Sequence, residues 1–216
     1  MRIGFIGDIV GRPGRKIIKD SLKNIKEEHK IDFIIANGEN ASHGFGLTID
    51  SSKELFSSGI DLITGGNHSF DKKKDVQFLH ESGNVLRPDN YPEGVVGSGL
   101  KICDIKIEER DEKLAVINLM GQFAMPLVEN PFNWATKLIK NLEEQNIKNI
   151  FVDFHGEATS EKRVMLMMFK NRVSAICGTH THVGTDDLQI FENTAYLTDI
   201  GLTGCYDNVI GMDEKA

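Results

Sequence analysis

Short runs of apolar and β-branched residues recur along this chain, and most of them end in a cluster of Gly, Asn, Asp, Glu or His. Such runs predict strands, which we place over 2–6, 32–36, 61–64, 114–119, 150–154 and 173–177. Amphipathic spacing predicts helices over 15–29, 51–57, 70–82, 133–145 and 161–170. The last apolar segments, 188–191 and 194–197, are close enough to form a hairpin. Strand–helix alternation that ends in consecutive strands indicates an α/β layered fold.

The length and composition fit one domain in a reducing compartment. A chain of 216 residues with 40% hydrophobic content can bury a substantial core, and no low-complexity stretch marks a linker, so we expect one domain over 1–216. The net charge of −7 argues against binding to nucleic acid through bulk charge. We find neither a secretory signal nor an apolar run of membrane-spanning length. The three widely spaced cysteines match neither a disulfide framework nor a zinc–thiolate site, so we expect a cytoplasmic location.

Polar side chains with metal-binding or acid–base chemistry follow five of the predicted strands. In chain order they are Asp8; Glu39 and Asn40; Asn67 and His68; His155; and His180 and His182. In an open α/β sheet the carboxyl ends of the strands converge on one crevice, where ligands bind. We therefore expect these residues to meet in space, although they are distant in the sequence.

Taken singly, most of these signals have ordinary structural explanations. Asp8 fits an Asx turn or a helix cap, Asn67 fits a glycine-rich turn, and His155 fits a satisfied core histidine. The GTHTH string is more specific, because residues two apart in extended backbone point to the same side and can bring two imidazoles to one site. Imidazoles beside carboxylates suit Mn²⁺, Fe²⁺ or Zn²⁺ better than Mg²⁺ or Ca²⁺.

In order along the chain, the strings GD, GEN, GNH, a lone His and GTHTH resemble the motifs of the calcineurin-like metallophosphoesterase superfamily. The longer strings FIGDIVGRPGR, NGENASHGFGLT, GGNHSFD, DFHGEATSEK, GTHTHVGT and TDIGLTG resemble the bacterial YmdB-type family of 2′,3′-cyclic-nucleotide phosphodiesterases. Two departures from the superfamily pattern, Val10 in place of histidine and Glu39 in place of aspartate, are features of that family. The resemblance implies a four-layer α/β/β/α sandwich. Family members usually continue beyond the GMD string, so it also implies that a C-terminal family segment is absent.

The resemblance also implies a site with two metal ions, Fe or Mn, with Zn as a further candidate. One ion is then held by Asp8, Glu39, Asn40 and His182, and the other by Glu39, Asn67, His155 and His180, with Glu39 bridging.

The implied reaction opens a 2′,3′-cyclic phosphate at the 2′ bond. Two metal ions lower the pKa of a bridging water, the resulting hydroxide attacks phosphorus, and His68 protonates the leaving oxygen. Candidate substrate contacts are Asn40, His43 and Thr181, although a surface loop and a simple spacer are the ordinary explanations for the last two. Further phosphate contacts could come from Arg12, Arg15 and Arg87, although solvated surface positions are the ordinary explanation for these arginines. Asp153 and Glu157 flank His155 and could hydrogen-bond to the metal ligands.

Other functions use the same residues. A general phosphomonoesterase or phosphoprotein phosphatase needs the same metal ligands, since substrate choice lies in the surrounding loops. A nucleotide-binding regulatory protein with little turnover would keep the fold and the metals. The resemblance leaves RNA-related regulatory partners and a homo-oligomer open, and no residue pattern identifies an interface for either.

Overall fold

A computed structural model describes residues 1–207 and 209–212, so residues 213–216 at the end of the expected domain lie outside the described residues. The first half contains β1 (Ile3–Ile6), α1 (Gly11–Glu28), β2 (Phe33–Asn37), α2 (Ile49–Ser57), β3 (Leu62–Thr64) and α3 (Val76–Glu81). The second half contains β4 (Leu100–Ile107), β5 (Arg110–Met120), α4 (Pro131–Glu144), β6 (Asn149–His155), α5 (Thr159–Phe169), β7 (Ala175–Thr179), β8 (Gln189–Phe191) and β9 (Thr194–Leu197). Within these described residues, no helix is both long enough and apolar enough to cross a membrane.

The strands form two sheets. β1, β2 and β3 make a parallel three-stranded sheet in that order. The other strands make a six-stranded sheet in the order β4-β5-β6-β7-β9-β8, in which β5, β6, β7 and β9 are parallel. The predicted hairpin is confirmed, because β8 pairs antiparallel with β9.

In the described part of the chain, three separate apolar clusters divide the molecule into four layers. One packs α1 and α2 against the small sheet and includes Leu22 and Leu55. Another packs α4 and α5 against the large sheet and includes Ile139 and Phe169. The third lies between the sheets and has no helical member among the described residues; its members are Ile35, Leu62, Leu86, Cys103, Ile105, Leu114, Val116 and Phe151. The four-layer α/β/β/α sandwich expected from the resemblance is therefore confirmed.

Three elements differ from the predictions. β4 was not predicted, although its LKICDIKI sequence alternates inward residues with charged ones. α1 begins at Gly11 instead of residue 15. The first backbone N–H groups of a helix have no intrahelical partner, so Pro13 in the first turn costs no hydrogen bond. α3 begins at Val76 instead of residue 70, because residues 66–75 form successive turns that carry Asn67 and His68.

Candidate metal centre

The polar residues that follow β1, β2, β3, β6 and β7 lie together at one end of the two sheets. The structure brings together every side chain predicted as a metal ligand: Asp8, Glu39, Asn40, Asn67, His155, His180 and His182. The small sheet leads into the residues that offer oxygen, and the large sheet leads into the histidines. The expected convergence is present, but it joins the ends of two sheets instead of one. The role of these residues as ligands stays a prediction.

One half of the centre is built around His155, which is fully buried. Its Nε2 lies 3.0 Å from Glu39 Oε1, 2.9 Å from Asn67 Oδ1 and 3.2 Å from His180 Nδ1. The ligand atoms of Glu39, His155 and His180 all lie within 4.8 Å of one another. This spacing suits a group of ligands that shares one cation.

The other half contains Asp8, Asn40 and His182. His182 Nε2 lies 3.6 Å from Asp8 Oδ1 and 3.1 Å from Asn40 Nδ2. Asn40 Nδ2 is in turn 3.4 Å from Glu39 Oε1, so the glutamate stands between the two halves. Because rotation of an amide exchanges its nitrogen and oxygen, Asn40 can offer Oδ1 at the same place.

Three observations test whether metal ions fit this site. Asp8 Oδ1 is a buried side-chain atom with no hydrogen-bond partner in the described part of the chain, and such an atom is costly unless a cation or donor meets it. A Cβ atom at Gly66 would stand under 3.0 Å from Glu39 Oε2 and His155 Nε2, so glycine keeps the space in front of both ligands open. The donors are carboxylate and amide oxygens with imidazole nitrogens, which suit Mn²⁺, Fe²⁺ or Zn²⁺. The residues therefore fit a divalent ion of this kind.

Burial and neighbouring charges shift the protonation of these groups. Burial raises the pKa of Asp8 and of Glu39, but the nearby imidazoles outweigh it and hold both values below the ordinary range. Burial lowers the pKa of His155, but the charge of Glu39 outweighs it and raises the value. Burial, together with the charge of His155, lowers the pKa of His180 to about 4. Both carboxylates are therefore ionised at neutral pH, as metal binding requires.

A buried network positions His155 from behind. Thr179 Oγ1 lies 3.0 Å from His155 Nδ1 and donates to Asp153 Oδ1 at 2.7 Å. Thr64 Oγ1 donates to the other oxygen of Asp153 at 2.5 Å. Asp153 is thus linked to the His155 ring through the Thr179 hydroxyl. On the other histidine, Glu157 Oε2 lies 3.1 Å from His180 Nε2.

The GTHTH segment is not extended, so the reason given for its two histidines facing one site is wrong. His180 and His182 have φ values of 100° and 64°, in the left-handed region. A buried ion pair supports this turn, because Asp199 Oδ2 accepts from the backbone N–H of Thr181 at 3.2 Å and from Lys162 Nζ at 2.7 Å. The turn, not a strand alternation, brings the imidazoles together.

His68 borders the centre on its open side, with its side chain 37% exposed. Its backbone N–H donates to Glu39 Oε2 at 2.9 Å. Its Nδ1 lies 2.7 Å from Asp71 Oδ2, which leaves Nε2 as the ring nitrogen available to a substrate. Asp71 was not among the predicted site residues, although GNHSFD places a carboxylate three residues after the histidine.

The predicted substrate contacts lie in different settings. His43 is exposed in the loop after Asn40, with φ 62°. The Thr181 amide is already used by Asp199, and its hydroxyl accepts from the Val183 N–H at 3.4 Å, so only the hydroxyl hydrogen could serve a phosphate.

Two of the three arginines proposed as phosphate contacts are held by other groups of the chain. Arg87 is buried, and its guanidinium donates to the carbonyl oxygens of Pro88, Asp89, Val95, Val96 and Gly97. Arg15 pairs with Glu54 at 2.6 Å, and Arg12 is exposed. Arg87 therefore braces a loop, and Arg15 ties α1 to α2.

Comparisons with known proteins agree on one family. A family model described as "YmdB-like protein" matches residues 5–216. A 2′,3′-cyclic-nucleotide 2′-phosphodiesterase of Bacillus subtilis is 45% identical over 216 residues, which are 100% of this chain and 80% of that protein. A crystal structure of a hypothetical Thermus thermophilus protein has a TM-score of 0.91 and 38% identity, with 100% of this chain and 82% of that chain covered. A novel phosphatase from Mycoplasma pneumoniae has a TM-score of 0.90 and 34% identity, with 99% and 76% covered.

Proposed function

Because this chain belongs to the YmdB-like protein family, we propose that it hydrolyses 2′,3′-cyclic nucleotides with two metal ions and releases 3′-nucleotides. The chain is a hydrolase of phosphoric esters, as its phosphodiesterase relative and its phosphatase neighbour indicate. The observation that carries the finer proposal is the buried Asp8 Oδ1, which has no hydrogen-bond partner among the described residues and lies beside a cluster of carboxylate, amide and imidazole groups.

The contacts support two ligand groups that share Glu39. One ion would be held by Glu39, Asn67, His155 and His180. The ligand atoms of the other three residues lie around His155 Nε2. The other ion would be held by the remaining group, Asp8, Asn40 and His182, together with Glu39. Mn²⁺ and Fe²⁺ are the preferred candidates for this donor set, followed by Zn²⁺.

When bound, the two ions would supply a hydroxide ion at neutral pH and would neutralise the phosphate oxygens. The protein's part is to fix the geometry. The network behind His155 holds its ring, and the Asp199 contact holds the turn between His180 and His182. Little covalent chemistry is then required of other side chains.

His68 donates the proton that the leaving oxygen needs. Asp71 binds Nδ1, so the proton on Nε2 faces away from that carboxylate and is available to the 2′-oxygen. Hydroxide forms a bond to phosphorus as the P–O2′ bond breaks, O2′ takes the proton from His68, and the phosphate remains on O3′. The Glu39 contact with the His68 backbone ties the acid to the ligand that the two ions share.

The first test measures metal content and product identity together. The protein should bind about two metal ions per chain and convert 2′,3′-cyclic AMP to 3′-AMP in the presence of Mn²⁺. Release of 2′-AMP would contradict the bond assignment. A folded protein that binds no metal would sink the whole proposal.

Three histidine variants separate the roles. His182→Ala should lose about one metal ion per chain together with its turnover. His68→Ala should keep both ions but slow cyclic AMP hydrolysis about 10²- to 10⁴-fold. The rate of His68→Ala on bis-p-nitrophenyl phosphate should fall less, because nitrophenolate departs without a proton. His29→Ala, at the exposed end of α1, is the matched control and should match the unmodified protein.

Phosphomonoester hydrolysis is the second candidate, because the Mycoplasma pneumoniae neighbour is described as a phosphatase. The same assay includes 3′-AMP and p-nitrophenyl phosphate. Faster turnover of these monoesters than of cyclic AMP would favour the phosphatase function.

A further inference from the structure

We propose that Phe45 is a platform on which the nucleobase of the substrate stacks, so that this ring, beside the metal centre, selects base-bearing cyclic phosphates. This inference rests on the proposed phosphodiesterase function and adds a specificity residue to it. Stacking on an aromatic ring tolerates any base, because every base has a π-face. The expected substrates are therefore nucleoside cyclic phosphates as a class.

Phe45 is a large apolar side chain at the edge of the site. Phe45 remains 45% exposed, and its ring centroid lies 6.4 Å from that of His68. His68 in turn binds Glu39 through its backbone. Single exposed apolar residues are common on protein surfaces, so exposure alone carries no argument. The position beside the proposed general acid is what distinguishes this phenylalanine.

The loop that carries Phe45 is held in one conformation. Ser42 N–H donates to the carbonyl of Gly46 at 3.0 Å and closes the loop around Phe45. Ser42 Oγ accepts from the Thr48 N–H at 2.9 Å and donates to Ser51 Oγ at 2.8 Å, which ties the loop to α2. The loop therefore presents the ring in a fixed place, and a prepositioned contact loses little entropy when a ligand binds.

Lys72 fixes the ring from the other segment that borders the site. Its Nζ lies 4.1 Å from the centroid of the Phe45 ring, a cation–π distance. A Cβ atom at Gly46 would stand under 3.0 Å from Lys72 Cγ, so the glycine, with φ 74°, allows the lysine stem to lie against the loop. The ammonium group also adds positive charge at the rim of a site that must bind an anion.

The covalent structure of the substrate connects this ring to the reaction. In a 2′,3′-cyclic nucleotide the base is attached to C1′, next to the carbon that carries the 2′-oxygen. If that oxygen lies beside His68 Nε2, the base is one carbon further along the ribose. Phe45 is the exposed aromatic ring that contacts His68 among the described residues. Aromatic and heterocyclic rings stack at centroid distances of 4.5–7 Å.

The test compares Phe45→Ala with the unmodified enzyme on two substrates. One is 2′,3′-cyclic AMP, and the other is glycerol 1,2-cyclic phosphate, which has no base. We expect kcat/KM for cyclic AMP to fall about 5- to 150-fold, mainly through KM, since that is the range of base–aromatic stacking. Turnover of the glycerol substrate should stay unchanged. Phe45→Trp should retain the preference, and Phe78→Ala, which removes another exposed ring on α3, is the control.

A binding measurement gives the same comparison without turnover. Calorimetry with Mn²⁺-loaded protein should show that Phe45→Ala weakens binding of 3′-AMP and leaves binding of glycerol 2-phosphate unchanged. An equal loss for both ligands, or no loss for either, would overturn the stacking proposal. If the unmodified protein hydrolyses neither cyclic phosphate, the proposed function fails, while the binding comparison still decides whether Phe45 contacts a base.

Discussion

The buried ion pair under the GTHTH turn gives the sharpest stability prediction. Lys162 Nζ lies 2.7 Å from Asp199 Oδ2, and both side chains are 1% exposed. Asp199 also accepts from the backbone N–H groups of Thr181, at 3.2 Å, and Gly201, at 2.8 Å. Asp199 is the only partner of the Lys162 ammonium among the described residues. Removing either side chain strands the other charge in the interior.

The expected cost follows from this difference in partners. Breaking a buried pair costs about 3–5 kcal/mol, because the remaining charge is desolvated and unpaired. Asp199→Asn should lie at the upper end, since it leaves the ammonium without an anion. Lys162→Met should lie at the lower end, since two backbone N–H groups still stabilise the carboxylate. For a chain of this length the losses correspond to a fall in Tm of about 6–20 °C.

Urea unfolding of EDTA-treated protein measures these costs without a contribution from metal binding. The double variant Lys162→Met/Asp199→Asn should cost clearly less than the two single losses added together, because it strands no charge. Lys113→Met is the matched control: it breaks an exposed pair with Asp104 and should cost about 0–1 kcal/mol. Single losses near the control value, or strictly additive losses, would refute the reasoning.

Three further predictions use different parts of the molecule. Gly66→Ala should at least halve the metal content, because its Cβ would meet two ligands, whereas Gly156→Ala, whose Cβ has ordinary contacts, should bind metal normally by elemental analysis. Asp71→Asn should keep its metal but lose about 10- to 100-fold in kcat on cyclic AMP, a smaller loss than that expected when the general acid itself is removed. An equal loss of kcat on bis-p-nitrophenyl phosphate would show that Asp71 does not act through acid catalysis. Burial raises the pKa of the Cys177 thiol to about 12, so its reactive thiolate is scarce at pH 8. Iodoacetamide should therefore label the exposed Cys205 first. Peptide mass spectrometry should find Cys177 labelled only after unfolding.

The strand ends could be predicted from the sequence because each buried strand ends abruptly in side chains that cannot be buried without a partner. His155 is an example, since five apolar or acidic residues of one strand directly precede it and its ring lies in the interior. The two-sheet arrangement could not be read from the same pattern. Parallel strands carry similar apolar runs in either sheet, and the assignment depends on which faces pack together.

Local signals failed where tertiary contacts decide the conformation. GTHTH reads as an extension of β7, but the Asp199 contact with Thr181 selects a turn with positive φ values. Arg87 reads as a surface residue, but the carbonyl groups of the loop over 88–97 satisfy its guanidinium. Asp199 lies 18 residues beyond Thr181, and Val95, Val96 and Gly97 lie 8 to 10 residues beyond Arg87, so the immediate sequence neighbours could not show these contacts.

The division of donors between the sheets explains why the centre must lie at their common end. On the proposed assignment the small sheet supplies the hard oxygens of Asp8 and Glu39, and the large sheet supplies the imidazoles. Neither sheet alone offers the mixed oxygen and nitrogen set that Mn²⁺, Fe²⁺ or Zn²⁺ prefers. Each ion would therefore join one layer to the other, and its affinity would depend on the packing of the apolar cluster between them. On that assignment a residue of the cluster, such as Phe151 against Phe5 with ring centroids 4.9 Å apart, would contribute to metal binding by fixing the distance between the two donor groups.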